Sequence, residues 1–253
     1  MVNGVSGNNN LLEGKKAFVF DCDGTLVYFK IDVFSARKDV IKILVKYGAP
    51  ASILSLDQTI AKMVEKSTPI ISSQKDSDIK IASMSKEIDQ AIEKYEIEAA
   101  HKTSLIPGTI EVLQKLKSKG FKLGIFTLNK NSTVNSLLDR VGIRSFFDVI
   151  VARDDVEKPK PDSHHLYKTL SLLGVTAEQA IIVGDHPTDM ISAQNVGAKS
   201  IGVLSSGHSA DELKSAGADL ILKDISLIIP ELLTKNKLGT VKQGSTRKNN
   251  NGW

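Results

Sequence analysis

Residues 17–26 read AFVFDCDGTL and place four apolar residues directly before two aspartates and a glycine. A short apolar run that ends in a turn is typical of a strand buried on both faces. Asp21 and Asp23 stand two residues apart, so both carboxylates can face one cavity if the chain turns there. Gly24 permits a tight turn, and Thr25 can fasten it. This stretch predicts a buried strand with an acidic group at its carboxyl end.

Five further strand candidates follow, separated by amphipathic stretches with helical spacing. The strand candidates are 121–126, 147–151, 180–183, 200–204 and 219–222. The helical candidates between them are 108–118, 131–141, 162–173, 188–196 and 210–216. Apolar strands that alternate with helices predict a parallel sheet covered on both faces and joined by right-handed crossovers. We therefore predict an α/β chain with a Rossmann-like, three-layer core.

One long segment interrupts this alternation. It contains helical candidates but no convincing strand, and a serine-rich loop with Pro69 is expected to end one of its helices. The helical candidates are 32–47, 54–65 and 78–100, and the loop is 67–77. An all-helical insert between the first two strands predicts a separate cap domain with hinges near 29–31 and 104–108. The expected domains are a core of 11–27 and 106–234, a cap of 28–105, and disordered ends of 1–10 and 235–253.

The net charge of +4 is concentrated at the carboxyl end of the 253-residue chain. Five basic residues lie there without an acidic one: Lys235, Lys237, Lys242, Arg247 and Lys248. Removing these five charges leaves −1 for the remainder. Such a tail can touch phosphate backbones or acidic membranes, but its Gly, Asn and Ser content favours a solvated, disordered end. We therefore expect neither nucleic acid nor membrane as a partner.

Several features bear on the compartment. Cys22 is the single cysteine, which excludes an intrachain disulfide framework and favours a reducing environment. No apolar run approaches the roughly 18 residues of a membrane-spanning helix. The start, MVNGVSGNNN, lacks the charged and apolar regions of a secretory signal. These features together predict a cytoplasmic protein.

Polar residues also follow the second and third strand candidates. Thr127 comes directly after 121–126 and suits either anion binding or helix capping. The sequence EKPKPD at 157–162 holds two lysines in a loop stiffened by prolines, and either Lys158 or Lys160 can offset the charge of a phosphoryl group. Ligands of open parallel sheets bind beyond the carboxyl ends of the strands, so these groups are expected at one edge.

The sequence GDHPTDM, after the fourth strand candidate, supplies two more carboxylates. Asp185 and Asp189 lie four residues apart, with Asp189 expected in the first turn of a helix. Mg²⁺ takes oxygen ligands and keeps several waters, so one or two carboxylates suffice to bind it. His186 lies between them and is interpreted as a loop residue, because Mg²⁺ disfavours imidazole. We therefore predict a Mg²⁺ site.

These motifs, in this order, resemble the haloacid dehalogenase-like hydrolase superfamily. The order is DxDGT, a threonine after the second strand, a lysine before a proline-rich turn, and GDxxxD. The resemblance extends over roughly 16–222, and the helical insert matches the family's cap in position. The chain is most similar to the phosphoglycolate phosphatase-like branch with a helical cap.

The resemblance implies a role for each matching residue. Asp21 is the nucleophile, and Asp23 protonates the leaving oxygen and later deprotonates the attacking water. Mg²⁺ is held by Asp21, the backbone carbonyl of Asp23, and Asp185. Lys158, chosen because it matches a Lys-Pro-x-Pro-Asp pattern, stabilises charge on the nucleophile and the phosphate. Thr127 is a catalytic residue that hydrogen-bonds the phosphoryl oxygens. The supporting or phosphate-binding residues are Asp189, Leu128 and Asn129, with Asp189 orienting Lys158 or a metal-bound water.

The expected function is Mg²⁺-dependent hydrolysis of a small phosphomonoester, phosphoglycolate-like or a sugar phosphate, through an aspartyl-phosphate. The alternatives on the same site are a phosphomutase that isomerises a sugar phosphate, and a pyrophosphatase or nucleotidase. A binding protein on a retired enzyme scaffold is disfavoured, because Asp21, Asp23, Lys158 and Asp185 are all present. The expected partner is a small phosphorylated metabolite, and the expected assembly is a monomer or homodimer.

Overall fold

The computed structural model describes residues 11–28, 31–205 and 207–234, which form two compact units. The core unit contains residues up to Val27, Leu105–Leu128, and the described residues from Ile143 onward. The helical unit contains Tyr28–Ser104 and Asn129–Gly142. The predicted disordered ends, and residues 29 and 30 of the first predicted hinge, lie outside the described residues.

The core unit is built on a six-stranded parallel sheet. Its strands are β1 (Ala17–Phe20), β4 (Lys122–Phe126), β5 (Val149–Val151), β6 (Ala180–Gly184), β7 (Lys199–Val203) and β8 (Leu220–Leu222). Their order is β5-β4-β1-β6-β7-β8, so β1 lies in the interior of the sheet. Phe20 pairs with Ile125 on one side and Val183 on the other. The carboxyl ends of β1, β4 and β6 therefore meet at one level, and the predicted α/β fold is confirmed.

Helices of the core unit cover the sheet. They are α4 (Thr109–Ser118), α6 (Ser163–Leu173), α7 (Pro187–Val196) and α8 (Ala210–Ser215). Two short strands, β2 (Val27–Tyr28) and β3 (Ser104–Leu105), form a separate sheet. One core cluster joins Ala17 and Val19 of β1 to Leu166 and Leu170 of α6 and Ala193 of α7. Side chains of β1 alternate between faces, and Phe18 meets the ring of Phe121 edge-on at 5.1 Å.

The helical unit contains four helices: α1 (Val33–Lys46), α2 (Ile60–Ser72), α3 (Ser77–His101) and α5 (Asn131–Arg140). Its core is a cluster of buried apolar side chains, among them Val40, Leu44, Met63, Ile71 and Met84. The sequence placed 131–141 in the core domain, whereas the structure groups α5 with the inserted helices. None of the helices in the described part of the chain is long and apolar enough to span a membrane.

The prediction that the loop around Pro69 ends a helix is wrong. Helix α2 starts at Ile60 and continues through Pro69 to Ser72. Proline removes one helical hydrogen bond. However, helix α2 buries Met63, Ser67 and Ile71, which lie on one side of it. Ser67 Oγ also donates to the Met63 carbonyl at 2.7 Å, a hydrogen bond that an α-helix accommodates. The serines of this stretch, which were interpreted as a sign of a loop, are therefore compatible with the helix. Burial of the apolar face outweighs the local propensity.

Candidate active site

The turn after β1 carries the first two acidic side chains. Gly24 adopts φ 76°, a left-handed conformation that glycine enters without strain, and its N–H donates to Val27 O at 2.8 Å. The N–H of Asp21 donates to Val183 O at 2.8 Å, which extends the pairing of β1 with β6 by one residue. Asp21 is buried and Asp23 is half-buried. The turn thus holds both carboxyl groups at the edge of the sheet.

Thr25 makes a contact that the sequence did not predict. Its hydroxyl is fully buried and donates to Asp185 Oδ1 at 2.9 Å. It therefore links the turn after β1 to the end of β6, in addition to any part in the turn itself. A hydroxyl donor to a carboxylate oxygen is charge-assisted and fixes the orientation of Asp185. Only the tertiary structure brings these residues, 160 positions apart in sequence, into contact.

Asp189 lies in the first turn of α7 and is fully buried. Its Oδ2 accepts from the His186 N–H at 3.1 Å, and its Oδ1 accepts from Lys160 Nζ at 2.7 Å. The side chain packs against Gly184, where an added Cβ would lie 2.3 Å from Asp189 Oδ2. Glycine at 184 is therefore needed for the close approach of Asp189. His186 caps α7 by accepting from the Thr188 N–H at 3.1 Å, which agrees with its interpretation as a loop residue.

The lysine in the site is Lys160, and the choice of Lys158 is corrected. Lys160 Nζ contacts Asp21 Oδ1 directly, donates to the Phe126 carbonyl at 3.2 Å, and lies 4.2 Å from the centre of the Phe126 ring. Lys160 is buried, whereas Lys158 is exposed. The physical reason is its position beside α6: Lys160 stands two residues before the helix cap Asp162, and the helix holds its backbone.

The sequence pattern did not distinguish the two lysines, because each precedes a proline. The signal that could have favoured Lys160 is its shorter distance along the chain to the predicted helix at 162–173. Among residues that sequence reasoning did not assign to the site, Thr188 and His186 line the same cavity, and Thr25 holds Asp185.

These residues surround a cavity of about 200 Å³ in the core unit. Its lining is Asp21, Asp23, Leu128, Lys160, Asp185, His186, Thr188 and Asp189. Thr127 is fully buried directly after β4, and its N–H donates to Val151 O at 3.1 Å. Asn129 is buried too, but it belongs to the helical unit. The volume is below the roughly 300–1,000 Å³ of pockets that hold drug-sized ligands, so the cavity suits a small one.

The electrostatics of the cavity are dominated by buried carboxylates. Burial raises the pKa of Asp21 well above its ordinary value; Lys160 opposes this shift, while Asp189, Asp185 and Asp23 add to it. The pKa of Lys160 is raised, because Asp189 and Asp21 outweigh the effect of burial on its ammonium group. One ammonium group faces three buried carboxyl groups, so the site has a deficit of positive charge.

This donor set fits a hard divalent cation. Carboxylate oxygens of Asp21, Asp185 and Asp189 lie within 4.8 Å of one another, and all three residues are buried. Both oxygens of Asp189 already accept hydrogen bonds, from Lys160 and His186. The best pair of ligands is therefore Asp21 and Asp185, and one or two carboxylates are enough for Mg²⁺. A divalent cation there would also remove the deficit of positive charge.

The chain belongs to the haloacid dehalogenase-like hydrolases, since residues 18–203 match the model of that family. The matched residues include the turn after β1, Lys160 and the start of α7. A solved structure from Bacteroides fragilis, described as a haloacid dehalogenase-like hydrolase, shares 26% identity with this chain. Its TM-score is 0.63, and the match covers 85% of this chain and 100% of that one.

Two further similarities refine this comparison. A protein from Bacillus cereus (strain AH820) named pyrophosphatase PpaX is 34% identical over 149 residues, which cover 59% of this chain and 64% of that protein. The chain thus spans less than two thirds of that relative. A solved structure designated a predicted phosphoglycolate phosphatase, from Haemophilus somnus 129PT, has a TM-score of 0.61 and 18% identity, covering 86% of this chain and 97% of that one. At that identity the likeness concerns the fold alone.

Proposed function

We propose that this hydrolase is a Mg²⁺-dependent phosphatase that acts on a small phosphomonoester, phosphoglycolate-like or a sugar phosphate. The observation that carries the proposal is the buried contact of Lys160 with both Asp21 and Asp189, beside Asp185 and the half-buried Asp23. A buried carboxylate that faces a cavity, next to an ammonium group and a cation site, suits attack on an anionic phosphoryl group.

In the first step, Asp21 attacks phosphorus and forms an acyl-phosphate bond, while the bond from phosphorus to the leaving oxygen breaks. Asp23, in its protonated form, gives its proton to that oxygen, so the product leaves as an alcohol. Asp23 suits this role because it is half-buried and lines the same cavity as Asp21.

In the second step, water attacks phosphorus and the bond to Asp21 breaks, which releases phosphate. Asp23, now ionised, accepts the proton of that water, so one carboxyl group serves both directions. When bound by Asp21 and Asp185, Mg²⁺ supplies positive charge that screens the repulsion between a carboxylate and a phosphate.

Lys160 and Asp189 complete the charge arrangement. The ammonium group of Lys160 favours the ionised form of Asp21, which is the form that can attack phosphorus. Asp189 holds that ammonium group at 2.7 Å and is itself fixed by the His186 N–H. Buried, preoriented charges of this kind stabilise a transition state more strongly than exposed ones. Asp189 is thus a positioning residue for Lys160.

The test is release of inorganic phosphate from a panel of phosphoglycolate, sugar phosphates, nucleotides and pyrophosphate, with and without Mg²⁺. We expect one small monoester to be hydrolysed and activity to be lost when EDTA is added. Restoration by excess Mg²⁺ is the control for damage by the chelator. Absence of phosphate release from every compound at saturating Mg²⁺ would refute the proposal.

Pyrophosphate hydrolysis is the second candidate, favoured by the PpaX similarity. It would use the same attack of Asp21, with phosphate as the leaving group. In the panel, a higher kcat/KM for pyrophosphate than for any monoester would select it. A phosphomutase would instead return the phosphoryl group to a sugar, so a sugar-phosphate isomer would form without release of phosphate.

The remaining expectations concern assembly and compartment. We propose that the partner is a small phosphorylated metabolite, because the cavity is small and includes buried carboxyl groups placed to hold a cation. The monomeric or homodimeric state and the cytoplasmic location stay predictions.

A further inference from the structure

His165 is a fully buried imidazole in the first turn of α6. Its neighbour His164 is exposed, so the two adjacent histidines have different surroundings. His165 Nδ1 accepts from the backbone N–H of Lys160 at 3.2 Å, and its Nε2 lies 3.0 Å from the carbonyl oxygen of Val151. The proposed reaction makes no direct use of this ring, although it touches the segment that carries the lysine of the site.

These two contacts determine the tautomer. The Lys160 N–H can only donate, so Nδ1 must present its lone pair. The Val151 carbonyl can only accept, so the ring proton must be on Nε2. A single neutral form satisfies both bonds, whereas a second proton on Nδ1 would break the bond from Lys160. Burial lowers the pKa of His165 to about 4, which agrees with a neutral ring near pH 7.

The acceptor carbonyl is shared with a second candidate site residue. Val151 O also accepts from the N–H of Thr127 at 3.1 Å. A carbonyl oxygen has two lone pairs and can accept both bonds. His165 is therefore connected on one side to the backbone of Lys160, and on the other to the carbonyl that positions Thr127.

The ring also belongs to the packing around the ammonium group. His165 meets the Phe126 ring at 5.7 Å and 71°. Phe126 in turn contacts Lys160 Nζ through its ring and its carbonyl. The backbone and the side-chain terminus of Lys160 are thus both held by a layer that includes His165.

We propose that His165 is a positioning residue that joins the Lys160 loop to the end of β5 and thereby sets the positions of Lys160 and Thr127. The inference rests on the proposed role of Lys160 in phosphoryl transfer. Loss of the His165 bonds is expected to lower kcat with little change in KM, because Lys160 acts on charge in the transition state. Displacement of a catalytic group by about 1 Å can cost roughly a hundredfold in rate.

The geometry is tested first, without substrate. Long-range ¹⁵N–¹H NMR spectra of the full chain report histidine tautomers, and the His165 signals are assigned by their loss in His165→Asn. We expect a neutral ring with its proton on Nε2 at pH 7. In His165→Leu, the amide signals of Lys160 and Thr127 should both shift, while in His164→Leu they should shift far less. A proton on Nδ1, or equal shifts in the two variants, would overturn the proposal whether or not the protein is a phosphatase.

The consequence is tested with the phosphoester that the parent hydrolyses best. We expect His165→Leu to lower kcat about a hundredfold and to change KM less than about threefold. His165→Asn can keep an acceptor for the Lys160 N–H and should recover about tenfold of that loss. His164→Leu is the matched control and should stay within about twofold of the parent.

Equal kcat in His165→Asn and His165→Leu would show that volume alone matters and would contradict a hydrogen-bonded positioning role. If His165→Leu does not fold, His165→Gln, which can donate to Val151 but reaches Lys160 poorly, replaces it with the same expectation. A parent without phosphatase activity would refute the proposed function, and the NMR result would then decide the geometry alone.

Discussion

The core unit and the helical unit were predicted from the same sequence with different success. In the core unit, every strand candidate corresponds to a strand, and β1 spans the four residues of AFVF. In the helical unit, a helix continues through Pro69, where a loop was expected. A strand buried between two layers needs a continuous apolar run, which is a strong signal. A helix packed on one side needs only an apolar stripe, and a proline on its exposed side is tolerated if that stripe is buried.

The largest expected effect tests whether the core unit carries the catalytic nucleophile. Asp21→Asn keeps the size of the side chain but removes the nucleophilic charge, so kcat should fall roughly 10³-fold or more. Phosphate release measures the rate, and circular dichroism serves as the control for the fold. A folded variant that retains more than a few per cent of parent activity would contradict the assignment of Asp21.

The second prediction separates two lysines in one loop of the core unit. Lys160→Met should lower kcat about 10²-fold or more, because Asp21 and Asp189 lose their shared ammonium group. Lys158→Met changes an exposed side chain and should stay within about twofold. The reverse order of effects would restore the pattern-based choice of Lys158.

The third prediction uses acid to probe the core unit. The pKa of His165 is about 4 in the folded chain, below its ordinary value of 6.5. Burial is the main cause and Lys160 acts in the same direction, while the hydrogen bond to the Val151 carbonyl opposes the shift, as do Asp155 and Asp189 more weakly. The unfolded chain therefore takes up the proton first, and stability present above about pH 6.5 is lost as the pH falls towards 4. The full difference is about 3 kcal/mol.

The measurement is the free energy of unfolding by urea between pH 7 and 4, in the parent and in His165→Gln. Other groups titrate in both proteins, so the difference between the two curves isolates His165. We expect the parent to lose more stability than the variant on acidification. Parallel curves would show that His165 does not titrate with a lowered pKa.

The fourth prediction concerns close packing in the core unit. Gly184→Ala places a Cβ 2.3 Å from Asp189 Oδ2, so the Asp189 side chain, whose other oxygen holds Lys160, must shift. We expect a loss of about 1–3 kcal/mol in unfolding free energy and a lower kcat. The control is Ser118→Ala, at the exposed end of a helix, which should change kcat little. A second glycine such as Gly142 does not serve as a control, because its positive φ would itself strain an alanine. Parent-like kcat in Gly184→Ala would show that the position of Asp189 is not critical.

The smallest effect is expected in the helical unit. Pro69→Ala restores a helical N–H and removes the ring from the interior of α2, while it also loosens the unfolded chain. The net gain in unfolding free energy should be about 1–2 kcal/mol. Lys66→Ala, at another exposed position of α2, should change it by less than about 0.5 kcal/mol. Destabilisation by Pro69→Ala would mean that the proline ring itself makes a needed contact.

The candidate site also contains some residues that the sequence predicted and others that it did not. Asp21, Asp23, Asp185 and Asp189 were predicted from sequence, because they follow apolar strands of a parallel sheet, and such strands end at one edge. Lys160 was named as an equal alternative to Lys158 but not chosen, since two Lys-Pro pairs in succession carry the same local signal. The contact of Thr25 with Asp185 was not predicted, because the two residues lie 160 positions apart in sequence. His165 was not recognised either: Lys160 and Val151 lie only 5 and 14 positions away, but the local sequence pattern does not show that the ring contacts them.

The sequence by itself determined the alternation of strands and helices and the acidic residues that end two of the strands, because buried apolar runs and turn residues are local properties. Only the tertiary structure decided which lysine enters the site, which hydroxyl holds Asp185, and which unit contains α5. Those outcomes depend on distances between residues far apart in the chain, and only the packed fold sets such distances.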